Sequence, residues 1–249
     1  CQKIAEKYGF YDRCLFHTTV GETTWDDDTG RWRVTTDRGD KMRARYVVLA
    51  NGILTTPRLA RIEGMETFEG DAFHTSRWDY NVDLKDKRVG IIGTGATAVQ
   101  AVPELAKIVK ELHVFQRTPS SIDVRDQRET TQDEIEAWKK EPGWSRARRE
   151  RLATISSGRT ALKGNDDFLS GKVTDFKVRK THARELTPEE LMEKQLDSNF
   201  RIMEQIRARV DATVKDPKTA GALKPYYTYG CKRPAFHDEF LSTFNLPHV

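Results

Sequence analysis

Cysteine is scarce and long hydrophobic runs are absent from this sequence of 249 residues. Its three cysteines, Cys1, Cys14 and Cys231, are odd in number and include no CxxC pair. This argues against a disulfide framework and a dithiol redox centre, and it fits a reducing compartment. The longest uninterrupted apolar run is Tyr46–Ala50, too short for a transmembrane helix, and no signal peptide is recognisable. We therefore expect a cytoplasmic protein with no membrane partner.

Neither sign of charge dominates the composition. Lys and Arg together number 42 and Asp and Glu number 38, so the formal net charge is only +4. A surplus of that size gives no reason to expect a nucleic-acid partner. Charged residues nevertheless make up 32% of the chain, above the usual ~25%. Some segments should therefore be charge-rich and solvated rather than part of a core.

Both ends of the sequence resemble cuts through a longer protein. Residue 1 is Cys rather than Met, and a helix-like pattern over Cys1–Tyr8 begins at once. At the other end, the pattern of a new strand begins within the last few residues. We expect the chain to be one part of a larger protein.

The first third of the chain has the alternation and turn residues of β-strands. Strands are predicted at Cys14–Val20, at Arg31–Thr36 and at Lys41–Ala50, with turns rich in Asp and Gly between them. The third strand ends in a wholly apolar run, which predicts a buried central strand. Residues 55–86 show little periodicity and are interpreted as a connecting segment.

A glycine-rich loop lies between a predicted strand, Val89–Ile92, and a predicted helix that runs to about Lys110. The loop matches the GxGxxG/A fingerprint of dinucleotide sites, in which glycines allow a tight turn and close approach of a pyrophosphate. The helix N-terminus then offers free N–H groups to the phosphates. The structural alternative is a plain turn. The candidate cofactor residues are Gly93, Thr94, Gly95, Ala96, Thr97 and Ala98.

The residues that follow the next predicted strand, Leu112–Gln116, indicate which nicotinamide cofactor would bind. An NAD site favours an acidic residue near this point, to accept a hydrogen bond from the ribose 2′-hydroxyl. Here Arg117 and Thr118 follow the strand. A guanidinium suits the extra 2′-phosphate of NADP, so we predict NADP; the alternative is an ordinary surface arginine.

A long charge-rich stretch, Thr118–Pro225, has a mostly helical pattern. Helices are predicted at Gln132–Lys140, Trp144–Ile155 and Pro188–Lys215. Thr187 and Pro188 form a typical helix start. A basic cluster in the second helix is interpreted as a solvated face, because acidic residues interleave with it.

The segment just before the glycine-rich loop carries the string FxGxxxHxxxW, formed by Phe68, Gly70, His74 and Trp78. Taken alone, these residues would be a packed linker. The string resembles the fingerprint of Baeyer–Villiger monooxygenases, flavin enzymes that use NADPH and O2. The family usually has Pro after the Trp, where this chain has Asp79.

Three further stretches resemble the same family, and the resemblance extends over roughly the whole chain. The strand end and turn that contain Asn51 and Gly52 look like the point where the chain leaves an FAD domain. The loop at Arg117 and Thr118 looks like the 2′-phosphate loop. In Gly230–Pro234, the resemblance implies that Lys232 helps to hold the 2′-phosphate and that Arg233 is a catalytic residue over the flavin; otherwise both are surface cations.

The resemblance implies an α/β fold: a Rossmann-like three-layer NADP-binding domain with a mostly helical insertion, flanked by β-meander and strand pieces of an FAD-binding domain. Residues 1–65 would close the first FAD-domain segment and 66–86 would be the fingerprint linker. Residues 87–229 would form the NADP-binding domain, with its insertion at about 119–225. Residues 230–249 would begin the return to the FAD domain.

The implied function is NADPH- and FAD-dependent insertion of one oxygen atom from O2 beside a ketone carbonyl, which yields an ester or lactone. No second glycine fingerprint precedes Gly93, so FAD would need the rest of the protein and this part alone should be inactive. The expected partners are a small-molecule ketone, O2 and the rest of the FAD domain, with no metal. The alternatives are a flavin monooxygenase that oxidises nitrogen or sulfur, against which Trp78 argues, and a separate NADP-binding module.

Overall fold

The computed structural model describes residues 1–52, 56–156 and 187–249. The chain divides into two compact units, Cys1–Trp78 and Asp79–Val249, which are described separately. Their boundary falls inside the predicted linker 66–86. Among the described residues, no helix combines the length and apolar character needed to cross a membrane.

The first unit contains a three-stranded antiparallel sheet. After a short helix α1 (Gln2–Lys7), the strands β1 (Val20–Asp26), β2 (Arg31–Thr36) and β3 (Lys41–Ala44) pair in the order β1-β2-β3. The indole rings of Trp25 and Trp32 meet across β1 and β2, with 5.4 Å between ring centroids. The prediction of a strand at Arg31–Thr36 is confirmed with the same bounds.

The other two strand predictions in this unit are wrong in extent. β1 begins at Val20 instead of running from Cys14, because His17 has a φ of 49° that interrupts an extended backbone. β3 ends at Ala44, and the run expected to be a buried central strand is exposed, with Val48 at 85% and Leu49 at 82%. No described strand pairs with residues 45–50. A strand completes its backbone hydrogen bonds only with a neighbouring strand. An apolar composition does not by itself supply that neighbour.

The second unit begins with a parallel strand–helix–strand arrangement. Strands β4 (Arg88–Ile92) and β5 (Glu111–Phe115) pair in parallel, and helix α2 (Ala96–Ala106) lies between them in the sequence. The buried residues of α2 recur with helical spacing, since Val99 and Val102 are almost wholly inaccessible. The predicted strand–loop–helix–strand unit is confirmed, although α2 ends before Lys110.

The C-terminal residues pack against this same arrangement. Strand β6 (Ile122–Asp123) pairs in parallel with β7 (Ala235–Phe236), and the short helix α7 (Phe240–Thr243) packs against α2. The backbone N–H of Leu112 in β5 donates to the carbonyl of His248 over 2.8 Å. The expected start of a return to an FAD domain at Gly230 stays a prediction.

The helices of the long charge-rich stretch are well predicted where the structure describes them. The predicted helices are α3 (Gln132–Lys140), α4 (Trp144–Ser156) and α5 (Pro188–Thr213), whereas α6 (Pro217–Leu223) is not predicted as a separate helix. Thr187 caps α5, as the sequence predicts, and the structure adds a reciprocal pair of hydrogen bonds with Glu190. The part of the predicted insertion at 157–186 lies outside the described residues.

The described strands form sheets of three, two and two strands. With the helices that alternate with them, they make an α/β fold, as predicted. The three-layer arrangement and the assignment of pieces to an FAD domain stay predictions.

The packing of α7 on α2 generates a stability prediction. Leu241 is wholly buried, so Leu241→Ala should lower the free energy of unfolding by about 2–5 kcal/mol through lost burial and the remaining cavity. Leu246→Ala is the matched control, because this leucine of the same segment is 41% exposed and should cost less than about 1 kcal/mol. Urea unfolding measures both, and equal losses would contradict the assigned core.

Candidate dinucleotide-binding site

The loop after β4 has the backbone geometry that its glycines permit. Gly93 has a φ of 103°, in the region that side-chain-bearing residues rarely adopt, and its N–H donates to the carbonyl of Phe115 over 2.7 Å. Gly95 is the N-cap residue of α2 with an extended backbone, φ −72° and ψ 179°. A Cβ built on Gly95 would meet nothing within 4 Å. The backbone there is open to a ligand.

The open backbone at Gly95 is also the N-terminus of α2. The first N–H groups of a helix have no partner within the helix, and Gly95 has no side chain to cap them. The first turn contains no acidic residue, so the partial positive charge of the helix end is not neutralised locally. Ala96 and Thr97 are exposed there, whereas Ala98 is buried in the position where the fingerprint requires a small residue. This end of α2 can accept an anion such as a pyrophosphate.

Hydrogen bonds join the glycine loop to the loop that follows β5. The buried hydroxyl of Thr94 donates to the carbonyl of Thr118 over 3.2 Å, and the hydroxyl of Ser120 donates to the carbonyl of Thr94. Gln116 donates from its amide nitrogen to the carbonyl of Ala222 over 2.8 Å. Arg117, between these anchored residues, is exposed. The structure thus holds the predicted 2′-phosphate loop beside the glycine loop.

A third segment, the loop 225–234, approaches the same edge through Tyr227. Ser121 donates its backbone N–H to the hydroxyl of Tyr227 over 2.9 Å, and the ammonium of Lys232 lies 5.5 Å from the centroid of the Tyr227 ring. The N–H of Ala235 then donates to the carbonyl of Ser121 over 2.9 Å. These contacts link Lys232 to the segment that follows Arg117. Arg233 is exposed in the same loop.

Helix α5 supports loop 225–234. Asn199 exchanges two hydrogen bonds with the backbone of Tyr229, and Arg207 donates to the carbonyl of Pro225 over 2.9 Å. Burial raises the pKa of Tyr229 to about 12, and the nearby charge of Asp123 adds to the shift. None of these residues follows from a motif. Only the periodic apolar face of the helix was visible in the sequence.

A second polar cluster secures the ends of β6 and β7. The guanidinium of Arg209 donates to the carbonyls of Ile122 and His237, over 3.0 and 2.9 Å. The carboxylate of Asp238 accepts the three consecutive backbone N–H groups of residues 125–127. Desolvation tends to raise the pKa of Asp238, but these donors and the charge of Arg209 outweigh it and hold the pKa below its ordinary value.

The fingerprint residues lie in the first unit, where their contacts are mainly local. His74 caps a short 3₁₀ helix, Thr75–Arg77, by accepting the N–H of Ser76 over 3.1 Å. Trp78 packs edge-to-face on Phe73, with 5.2 Å between ring centroids.

The ring of Phe68 lies against the backbone of Gly70. A Cβ on Gly70 would come within 2.6 Å of that ring, so the ring of Phe68, which is 65% exposed, would have to move to make room for it. Asn51 and Gly52 are exposed in the same unit, and Gly52 has a φ of 69°. The structure thus brings Phe68 and Gly70 together.

No group of three or more metal-ligating side chains occurs in the part of the chain that the structure describes.

Comparison with known proteins supplies the family. A family model described as pyridine nucleotide-disulphide oxidoreductase matches residues 16–159. Baeyer-Villiger monooxygenase ATR8 of Stachybotrys chlorohalonatus is 45% identical over 263 residues, an alignment that covers 100% of this chain and 41% of the relative.

Solved structures agree with this relationship. Polycyclic ketone monooxygenase from the thermophilic fungus Thermothelomyces thermophila superposes with a TM-score of 0.81 and 41% identity, over 100% of this chain and 44% of the other. The structure of OTEMO in complex with FAD and NADP has a TM-score of 0.67 and 26% identity, over 100% of this chain and 49% of the other. The chain thus spans less than half the length of these relatives.

The two loop glycines should respond differently to the same substitution. Gly93→Ala forces a side chain into a left-handed conformation and should cost about 1–3 kcal/mol of stability. Gly95→Ala should cost less stability than Gly93→Ala, because its φ is ordinary and the space is open, yet it should weaken NADPH binding by filling the approach to the backbone. Thermal unfolding and NADPH titration separate the two effects. Unaltered NADPH affinity in Gly95→Ala would contradict this placement of the pyrophosphate.

Proposed function

We propose that this chain, which belongs to the pyridine nucleotide-disulphide oxidoreductase family, is the NADP-binding part of a Baeyer–Villiger-type monooxygenase. The whole protein would oxidise NADPH and insert one atom of O2 beside the carbonyl of a ketone. One observation carries the proposal: the complete FxGxxxHxxxW string precedes a glycine loop whose neighbouring loop supplies Arg117 rather than an acid. The whole-chain similarity to enzymes named for ketone oxidation supports it.

The dinucleotide would lie across the edge at which β4 and β5 end. Its pyrophosphate would bind at Gly95 and the first N–H groups of α2, where open backbone and the helix dipole favour an anion. The guanidinium of Arg117 and the ammonium of Lys232 would hold the 2′-phosphate, with Thr118 in the same loop. Arg117 can bind two phosphate oxygens at once, whereas Lys232 acts as a point charge.

Flavin would be held mainly by the rest of the protein. The sequence has one GxGxxG/A loop, at Gly93–Ala98, so the loop for the FAD pyrophosphate is not in this chain. When bound, FAD would accept hydride from NADPH and deliver oxygen to the ketone. Arg233 would hold negative charge on the reacting oxygen, because a fixed cation stabilises an anion.

The proposed domain organisation follows the same relationship. Residues 1–65 would belong to the FAD domain, 66–86 to the fingerprint linker and 87–229 to the NADP domain, with the return beginning at 230. Asn51 and Gly52 would lie where the chain leaves the FAD domain. A cytoplasmic location is part of the proposal.

Two other functions are compatible with an NADP site. A monooxygenase that oxidises nitrogen or sulfur would share the nucleotide loops, but Trp78 favours the ketone enzyme. A separate NADP-binding module would need no flavin. Assays of the whole protein with a ketone and with a sulfide discriminate among the three, because a ketone oxygenase forms ester and the module forms no product from either.

Arg117→Ala should reduce the affinity for NADPH but not for NADH. Loss of a charge-assisted contact with the 2′-phosphate should cost roughly 1.5–3 kcal/mol, or about ten- to a hundredfold. NADH lacks that phosphate, so its dissociation constant should stay within about twofold. Fluorescence titration with both cofactors measures this. Equal NADPH affinity in the two proteins would remove Arg117 from the site.

Arg233→Ala in the whole protein should separate NADPH oxidation from oxygenation. Hydride transfer requires no cation at the reacting oxygen, so flavin reduction should continue, whereas ester formation should fall on the order of a hundred- to a thousandfold. Rapid-mixing absorbance, ester yield and hydrogen peroxide release measure the two halves. A normal ester yield would exclude the catalytic role, and a defect confined to flavin reduction would make Arg233 a cofactor-positioning residue.

A further inference from the structure

Asn199 makes a paired contact with the chain just before the two cations of loop 225–234. Its Oδ1 accepts the N–H of Tyr229 over 2.9 Å, and its Nδ2 donates to the carbonyl of the same residue over 3.1 Å. The side-chain amide thus satisfies both backbone groups of one residue. The opposite assignment of the amide would set donor against donor and acceptor against acceptor. Asn199 is partly buried, so water competes only weakly for these bonds.

The helix that carries Asn199 is a firm support. Met203, Ile206 and Val210 follow it on α5 with helical spacing and are 2%, 2% and 1% exposed. Farther along the same helix, Arg207 holds the carbonyl of Pro225. The stretch 225–229 is therefore attached to α5 at both of its ends.

The restraint on Tyr229 lies close to Lys232. Gly230 has a φ of 92°, and the N–H of Cys231 donates to the carbonyl of Thr228 over 3.0 Å. This tight turn is all that separates Tyr229 from Lys232, whose ammonium lies over the ring of Tyr227. Three residues span at most about 10 Å. A shift of the Tyr229 backbone therefore displaces the Lys232 side chain directly.

We propose that Asn199 is a positioning residue of the cofactor site, which fixes loop 225–234 through the backbone of Tyr229 so that Lys232 meets the 2′-phosphate of NADPH. The inference rests on the proposed function, because it takes the 2′-phosphate as the group that Lys232 binds. It assigns a role in cofactor selection to helix α5, a part of the chain that no cofactor motif covers.

A purely structural role for Asn199 makes a different prediction. If the amide only stabilised the fold, its loss would weaken binding of NADPH and NADH alike. A positioning role confines the loss to NADPH, because NADH has no 2′-phosphate for Lys232 to bind. The ratio of the two affinities is therefore the informative quantity.

The test compares wild type, Asn199→Ala and Gln205→Ala in NADPH and NADH titrations. Gln205 is the matched control, an exposed amide on the same helix. Asn199→Ala should raise the dissociation constant for NADPH roughly three- to tenfold, the range of a lost hydrogen bond, and leave NADH within about twofold. If the alanine variant folds poorly, Asn199→Leu serves in its place, because leucine keeps the branched shape of asparagine without the hydrogen bonds, and it should change the two affinities in the same way.

Hydrogen exchange supplies a readout that does not involve the cofactor. The amide of Tyr229 should exchange about tenfold faster in Asn199→Ala, because its acceptor is gone, and at the wild-type rate in Gln205→Ala. Faster exchange together with an unchanged NADPH to NADH ratio would overturn the inference and leave the proposed function intact. Equal affinity of the wild type for the two cofactors would overturn the proposed NADP site, and the inference with it.

Discussion

The parallel pairing of β4 with β5 is the constraint on which the candidate site depends. Because the two strands run in the same direction with Ile92 opposite Phe115, the loops after them emerge at the same edge. Thr94 and Ser120 then bond across these loops, and Gly93 closes the turn onto Phe115. An antiparallel pairing would place the glycine loop and Arg117 at opposite edges. The open backbone at Gly95 and the loop that carries Arg117 therefore lie at the same edge of the sheet.

The C-terminal residues extend that arrangement through backbone hydrogen bonds. β7 pairs with β6, Arg209 joins the carbonyls of Ile122 and His237, and Asp238 collects the N–H groups of the loop that follows β6. These contacts put Lys232 and Arg233 on a loop held at both ends. Hydrogen bonds to charged groups are stronger than those between neutral groups, so this is a well-restrained position for two exposed cations. Helix α5 supports this loop through Asn199 and Arg207.

The first unit shows how local the fingerprint is. The ring of Phe68 lies against the backbone of Gly70, and His74 caps the turn that leads to Trp78. The contacts of these residues are therefore made mainly within their own segment. The apolar run 46–50, in contrast, is exposed and unpaired within the described residues. Its composition suits a buried strand, which fits the proposal that this unit is part of an FAD domain.

The sequence by itself determined the features that depend on a few neighbouring residues. The turn at Gly93, the small residue Ala98, the cap at Thr187 and the strand Arg31–Thr36 follow from steric limits and hydrogen-bond needs that act within one element. Tertiary structure decided which apolar runs become strands, since no strand among the described residues pairs with the run 46–50. It also decided that Tyr227, Asn199 and Arg209, which follow Arg117 by 110, 82 and 92 residues, support the same region. Their hydrogen bonds go to backbone groups, which every residue type has, so no side-chain pattern in a single sequence marks them.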